Sequence, residues 1–325
     1  MPLWLRGSNS SQLSKQRLAE ARKQGKEAVR QTGRAVRTRG VEDVGVIIDL
    51  LLSYRAVECW PEMIDLAKGL AGPLASTAMV QEQLALALNR EGKTEEAVKV
   101  LDNLVRRHGI TSETSGILGR VYKDAAERYR PIDEKKASVY LEKAIESYLR
   151  GFEFDAKDAY PGINAVTLME LRDQPNRPKD LIPRISEALE RQIASGKADY
   201  WDYATQLEIA VLLGEEKTAK SALQMAVATD RETWEPKSTA NNLNLIRNAR
   251  LRRELRSAQE AANAAGAAAG RQQVQTGAGQ RAAARSAQRA EQTARRDAEQ
   301  AAKQKADWVE KIEKDLLAHA EFLSS

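Results

Sequence analysis

Gly92-Lys93-Thr94 sets a lysine and a hydroxyl beside a helix start, a pairing that can hold phosphate. A phosphate-binding loop also needs a glycine five residues before Gly92 and a preceding strand, but Ala87 stands there inside a helical pattern. The motif is therefore incomplete, and the glycine reads as turn chemistry. His108 and His319 are the two histidines and fall in different regions, which leaves little material for a His-based metal site or a Ser-His-Asp arrangement. Cys59 is the single cysteine, so no intramolecular disulfide or Cys-based metal cluster can form. Beside Trp60 it reads as a small buried hydrophobe, a redox-sensing thiol being the alternative. The carboxylate pairs Glu95-Glu96 and Glu215-Glu216 sit where first helical turns are expected, and there they oppose the helix dipole. These residues predict no enzyme and no cofactor.

Other side chains must then carry function, and helices must position them. Ala, Leu, Glu, Lys, Arg and Gln dominate the 325 residues, only three Phe are present and strand-like runs are scarce, so an all-α fold is expected. The longest apolar stretch, Val44 to Leu52, is interrupted by Asp49 and falls far short of the roughly 20 residues that span a bilayer. The N-terminus lacks an apolar secretory core. With the cysteine usage, that predicts a cytoplasmic protein. Net charge is uneven: residues 1–40 carry +8, residues 251–305 carry +6, and residues 41–250 carry −6. Basic arms thus flank an acidic body.

Composition divides the chain into four parts. Residues 1–40 form a basic N-terminal arm with a faint stripe of Leu13, Leu18, Ala21, Ala28 and Val29, too weak to predict an autonomous fold. Residues 41–250 carry dense helical periodicity broken by turn signals such as Gly72-Pro73, Gly92, Gly109, Pro131, Pro175 through Pro183, Gly196, Gly214 and Pro236. Residues 251–280 are rich in Ala, Gly and Gln and predict a flexible linker, because they offer little apolar surface to offset ordering entropy. Residues 281–325 predict a charged, amphipathic helix with a stripe of Trp308, Ile312 and Leu316, widened by Val309, Leu317, Ala320 and Leu323. That stripe would dock on the body or self-associate.

Internal periodicity within 41–250 is the strongest fold signal. A 34-residue helix-turn-helix repeat sets small and large side chains at fixed offsets where its helices touch, and Leu84, Ala85, Leu88, Ala97, Leu101 and Leu104 fill six of them. Thr94 is then placed to cap the second helix. A second unit uses Leu118, Gly119, Tyr122, Ala144, Tyr148 and Gly151, with an inter-helix segment 13 residues too long that contains Pro131 and the capping residue Asp133. A further unit uses Tyr203, Leu207, Ala210, Gly214, Ala219, Leu223 and Ala226, and Tyr160–Leu171 with Ile182–Ala194 make a degenerate pair between them. Segments 41–71 and 236–250, with Trp60 and Trp234, are candidate caps. The expected architecture is a tetratricopeptide-like α-solenoid.

Five segments resemble the TRAFs-binding domain, the central regulatory region of apoptosis signal-regulating mitogen-activated-protein kinase kinase kinases. They are Leu52-Ser53-Tyr54-Arg55, Ala87-Leu88-Asn89-Arg90, Gly119-Arg120-Val121-Tyr122-Lys123-Asp124, Ala144-Ile145-Glu146 leading to Gly151-Phe152-Glu153, and Tyr160-Pro161-Gly162-Ile163-Asn164. They occur in the family's order over about 45–240, and the insertion between Asp124 and Ala144 falls where the family also has one. The resemblance implies a helical-repeat module that recruits partner proteins, TRAF adaptors in the kinases. No kinase glycine-rich loop, His-Arg-Asp loop or Asp-Phe-Gly accompanies it, so the kinases' partner does not follow automatically.

First helices of such hairpins line the concave face. Repeat offsets there select Glu82, Asn89, Arg90, Arg120, Lys123 and Asp124 as a protein-binding groove, able to grip an acidic or carboxylate-bearing peptide. The same side chains could instead bridge neighbouring helices. The expected function is a signalling-type adaptor whose partner is a protein, an effector encoded nearby being one candidate. Nucleic-acid association through the basic arms is the alternative.

Overall fold

The computed structural model describes residues 3–38, 43–172, 178–230, 234–275 and 280–323, and those residues form fifteen helices and no strand. Pro175 and residues 276–279 of the predicted linker lie outside the described residues. Two compact units divide at Asp155, and each is built from antiparallel helical hairpins. The fold is all-α and tetratricopeptide-like.

Unit 1 holds α1 (Leu3–Gln24), α2 (Lys26–Thr38), α3 (Val44–Ala56), α4 (Trp60–Gly69), the single turn α5 (Gly72–Ala75), α6 (Ala78–Arg90), α7 (Thr94–His108), α8 (Ser112–Tyr129) and α9 (Glu134–Phe154). The pairs are α1 with α2, α3 with α4, α6 with α7, and α8 with α9. All six diagnostic residues of the α6–α7 hairpin are buried, the small Ala85 and Ala97 without any exposure. In the next hairpin a Cβ on Gly119 would stand 2.8 Å from the Tyr148 ring, so this glycine lets the Tyr148 ring of α9 lie directly on α8. The repeat offsets had set those two residues at facing positions.

Two local expectations change. Lys93, not Thr94, is the N-cap of α7, and no side-chain cap bond forms there; Thr94 is the first helical residue, buried, and its hydroxyl accepts from Arg128. Gly92 adopts φ +74°, the left-handed turn conformation, and its N–H donates to Asn89 O at 3.0 Å. Asp133 does cap α9, accepting from Lys136 N at 3.0 Å.

The basic arm is folded. Leu18, Val29 and Val36 are buried, and Gly33 admits the Tyr54 hydroxyl of α3 so closely that a Cβ there would collide with it. Arg22 pairs with Asp49 at 3.1 Å and Arg30 with Glu62 at 2.6 Å. Small residues, invisible to a search for large apolar stripes, make this close approach.

Unit 2 holds α10 (Ala159–Leu171), α11 (Pro178–Ala194), α12 (Tyr200–Leu213), α13 (Glu216–Thr229), α14 (Trp234–Gln275) and α15 (Gln280–Phe322), paired in order. Pro183, read as a break, lies within α11. Gly214 ends α12 in the left-handed conformation, φ +78°. The predicted flexible linker is corrected over 251–275, where α14 continues helical and buries Ala258 and Ala262. Arg247 lies opposite Glu313, and Gly266 opposite Ala287, so α15 runs antiparallel to α14. Ala-rich helices can approach closely, and burial between two chain segments supplies the surface that the local composition lacks. Val309, Ile312, Leu316 and Ala320 form the buried face of α15, which packs on α13 and α14 of the same unit. Among the described residues no helix is long and apolar enough to cross a membrane.

Candidate functional site

α6 and α8, the first helices of consecutive hairpins, lie side by side and carry the predicted groove residues. Near their N-terminal ends Glu82 is 8% exposed and its Oε1 accepts from the Thr114 hydroxyl at 2.6 Å. Burial pushes the Glu82 carboxyl above its usual range, and the Thr114 hydrogen bond opposes that shift only in part. Glu82 thus ties α6 to α8 and does not face an open groove.

The other end is more open. Asn89, 1% exposed, donates from Nδ2 to Asp124 Oδ2 at 2.6 Å. Arg128 donates to the Asn89 carbonyl at 3.0 Å and to Asn89 Oδ1 at 3.3 Å. Those residues, with Glu127 and the exposed Arg90, line a cleft of about 420 Å³. The structure therefore brings Asn89, Arg90 and Asp124 together, but not Glu82, and neither Arg120 nor Lys123 lines the cleft; both are half-buried and engaged elsewhere.

Arg128 and Glu127 were missed by the repeat arithmetic. The extended α8 carries them beyond the last offset of a standard first helix. Arg128 falls one turn after Asp124, a spacing that would have shown it on the same helix face.

Nothing in this cleft resembles an activated nucleophile or a proton-transfer pair. His108 is exposed in the last turn of α7, and His319 contacts Asp230 at 2.8 Å within unit 2. Cys59 is buried, and burial raises its thiol above the ordinary range, the opposite of an activated thiolate. Among the described residues no cluster of three or more His, Cys, Asp or Glu could hold a metal ion.

Comparison with known proteins places this geometry in context. The model of the MAP3K TRAFs-binding domain matches residues 6–264. The chain belongs to the MAP3K TRAFs-binding domain family. The match takes in α1 and α2, which the predicted boundary at residue 41 left outside, and α15 lies beyond it. Mitogen-activated protein kinase kinase kinase nsy-1 of Caenorhabditis elegans is 30% identical over 220 residues, 61% of this chain and 14% of that protein. Mitogen-activated protein kinase kinase kinase 15 of Mus musculus is 28% identical over 217 residues, 62% of this chain and 16% of that protein. The chain thus spans about a seventh of the length of these kinases. A thermophilic TPR protein from Thermus thermophilus is similar in structure at a TM-score of 0.47 and 12% identity, over 62% of this chain and 98% of that one.

Proposed function

We propose that this TRAFs-binding-type domain works as a non-catalytic adaptor that binds a partner protein in the α6–α8 cleft. The observation that carries the reading is the Asn89–Asp124–Arg128 network, which fixes the walls of the cleft while Arg90 stands exposed at its mouth. A rigid polar wall with a solvent-facing guanidinium suits a carboxylate-bearing segment, since the donors need no reordering on binding. The family description names TRAFs as partners; for this chain the partner is proposed by chemistry alone, as a protein presenting an acidic or carboxylate-terminated segment.

Quantitative affinity capture from the native host tests this. Arg90→Glu is expected to reduce recovery of a specifically bound protein about tenfold or more, the loss of one charge-assisted contact plus repulsion. The same change at the exposed Lys314 of α15 should leave recovery intact. Equal recovery by wild type and Arg90→Glu would remove the cleft from consideration.

One observation favours the nucleic-acid alternative: Arg252, Arg256, Arg285, Arg289, Arg295 and Arg296 are exposed on the α14–α15 pair. Affinity for DNA or RNA falling steeply with salt, and abolished by charge reversal at these arginines, would establish that reading in place of the adaptor.

A further inference from the structure

α7 and α9, the second helices of their hairpins, both pack on α8, and a second open cleft of about 280 Å³ lies between them. Tyr122 and Tyr140 form one wall, Val98 contributes apolar surface, and Lys99, Arg106 and Lys143 contribute the cations. The tyrosines belong to a ladder. Tyr140 stacks on Tyr122 at 6.1 Å between ring centroids and on Tyr129 at 5.6 Å. Lys136 Nζ stands 3.8 Å from the Tyr129 centroid, and Lys143 Nζ stands 5.5 Å from the Tyr122 centroid. Much of the ladder's framework lies in the 13 residues by which this hairpin exceeds a standard repeat.

The charge balance selects an anion. Two carboxylates, Glu95 and Asp102, also line the cleft against the three cations, and Arg106 is held on α7 itself, donating to Asn103 Oδ1 at 2.6 Å and to the Asp102 carbonyl at 3.4 Å. Lys99 and Lys143 are exposed and form no ion pair among the described residues. The aromatic geometry narrows the choice further. Ring faces, the electron-rich surfaces that attract cations or stack on bases, are occupied by other rings and by lysines, which leaves ring edges of positive character. A stacked nucleobase has no platform here, whereas a carboxylate meets cations and ring edges together. On α9, Val139 is 55% exposed and lies between Lys136 and Lys143 at helical spacing, and Ile132, 79% exposed, lies in the turn before that helix. A large exposed apolar side chain between lysines suits a peptide that is both acidic and apolar.

We propose that the α7–α9 cleft is a second docking site, separate from the α6–α8 cleft, for an acidic segment of a partner protein. Carboxylates of that segment meet Lys99 and Lys143, and its apolar side chains lie along Val139. The site is independent of the function proposed for Arg90.

Fluorescence polarisation with the full chain and a short fluorescein-labelled peptide of sequence EELEELEE tests it. Wild type is expected to bind, with affinity falling as salt rises. The double variant Lys99→Glu with Lys143→Glu should bind at least about tenfold more weakly, while the double variant Arg289→Glu with Arg296→Glu stays at the wild-type value. Both substituted lysines are exposed, so helicity and Tm should not change. No binding by wild type, or equal loss in the α15 variant, would overturn the proposal. So would competition by single-stranded oligothymidine that depends on the same two lysines.

Discussion

Glu82 holds a carboxylate between α6 and α8 with a hydroxyl as its recorded hydrogen-bond partner, and this has a thermodynamic sign. A carboxyl whose folded-state value is raised above its unfolded value destabilises the folded protein once pH exceeds the unfolded value, because ionisation is easier in the unfolded chain. Glu82→Gln keeps an oxygen that can accept from Thr114, so it is expected to be neutral or stabilising by about 1 kcal/mol at pH 7. The difference should vanish as pH falls and the wild-type carboxyl takes up its proton. Urea denaturation at pH 7 and pH 4.5 checks both statements, and a stabilising difference that persists at the lower pH contradicts them. Gly119 offers a second test at this scale. Gly119→Ala improves helix propensity but drives a methyl into the Tyr148 ring, and overpacking of this kind typically costs about 1–3 kcal/mol. A lower Tm is expected. The pairing of Gly119 with Tyr148 was legible from repeat offsets alone, whereas Arg128 was not, because it lies on an extension of α8 that the offsets do not cover.

Helix ends and helix faces carry the next set of contributions. α12 begins with a capping box in which Asp199 accepts from Trp201 N at 2.9 Å and Asp202 Oδ2 accepts from Asp199 N at 2.9 Å. Asp199→Ala leaves the Trp201 and Asp202 amides without their side-chain acceptor and is expected to cost about 1 kcal/mol, measurable by chemical denaturation. α15 shows how a face is secured. Leu316 is fully buried, and Glu313 receives Arg247 at 2.7 Å and Asn244 at 3.1 Å. Leu316→Ala should cost about 2–4 kcal/mol by lost burial and cavity formation, whereas Leu317→Ala, at an exposed position, should change stability by less than about 0.5 kcal/mol. Near-equal effects of the two substitutions would contradict the observed docking of α15. The stripe on α15 was visible as i, i+4, i+8 spacing, but its partner was not, because periodicity records that a face is buried and not against what.

At the scale of the molecule, each compact unit includes a charged segment that composition alone reads as a loose arm or linker. In unit 1, Arg22 and Arg30 of the basic arm meet Asp49 and Glu62 of the acidic body. In unit 2, α15 lies beyond the family match yet shares its buried face with α13 and α14. Removing residues 280–325 should expose the side chains of α14 that α15 covers, with a lower Tm for unit 2 and increased self-association by light scattering. A monodisperse truncated chain with unchanged melting would show that α15 contributes little.

Helix content, the hairpin repeats and the nearness of Asn89, Arg90 and Asp124 to one another follow from the sequence by itself. Steric matching of small and large side chains within one hairpin is a short-range property that leaves a fixed spacing in the chain. Tertiary structure alone decided that 251–275 is helical, that the N-terminal arm is folded, and that Glu82 is sealed between helices while Arg90 is open. Those outcomes depend on surface supplied by segments distant in sequence: α15 supplies it for the Ala-rich part of α14, α3 and α4 for the basic arm, and α8 for Glu82. Burial that depends on such long-range partners leaves no periodic trace in the segment that is buried.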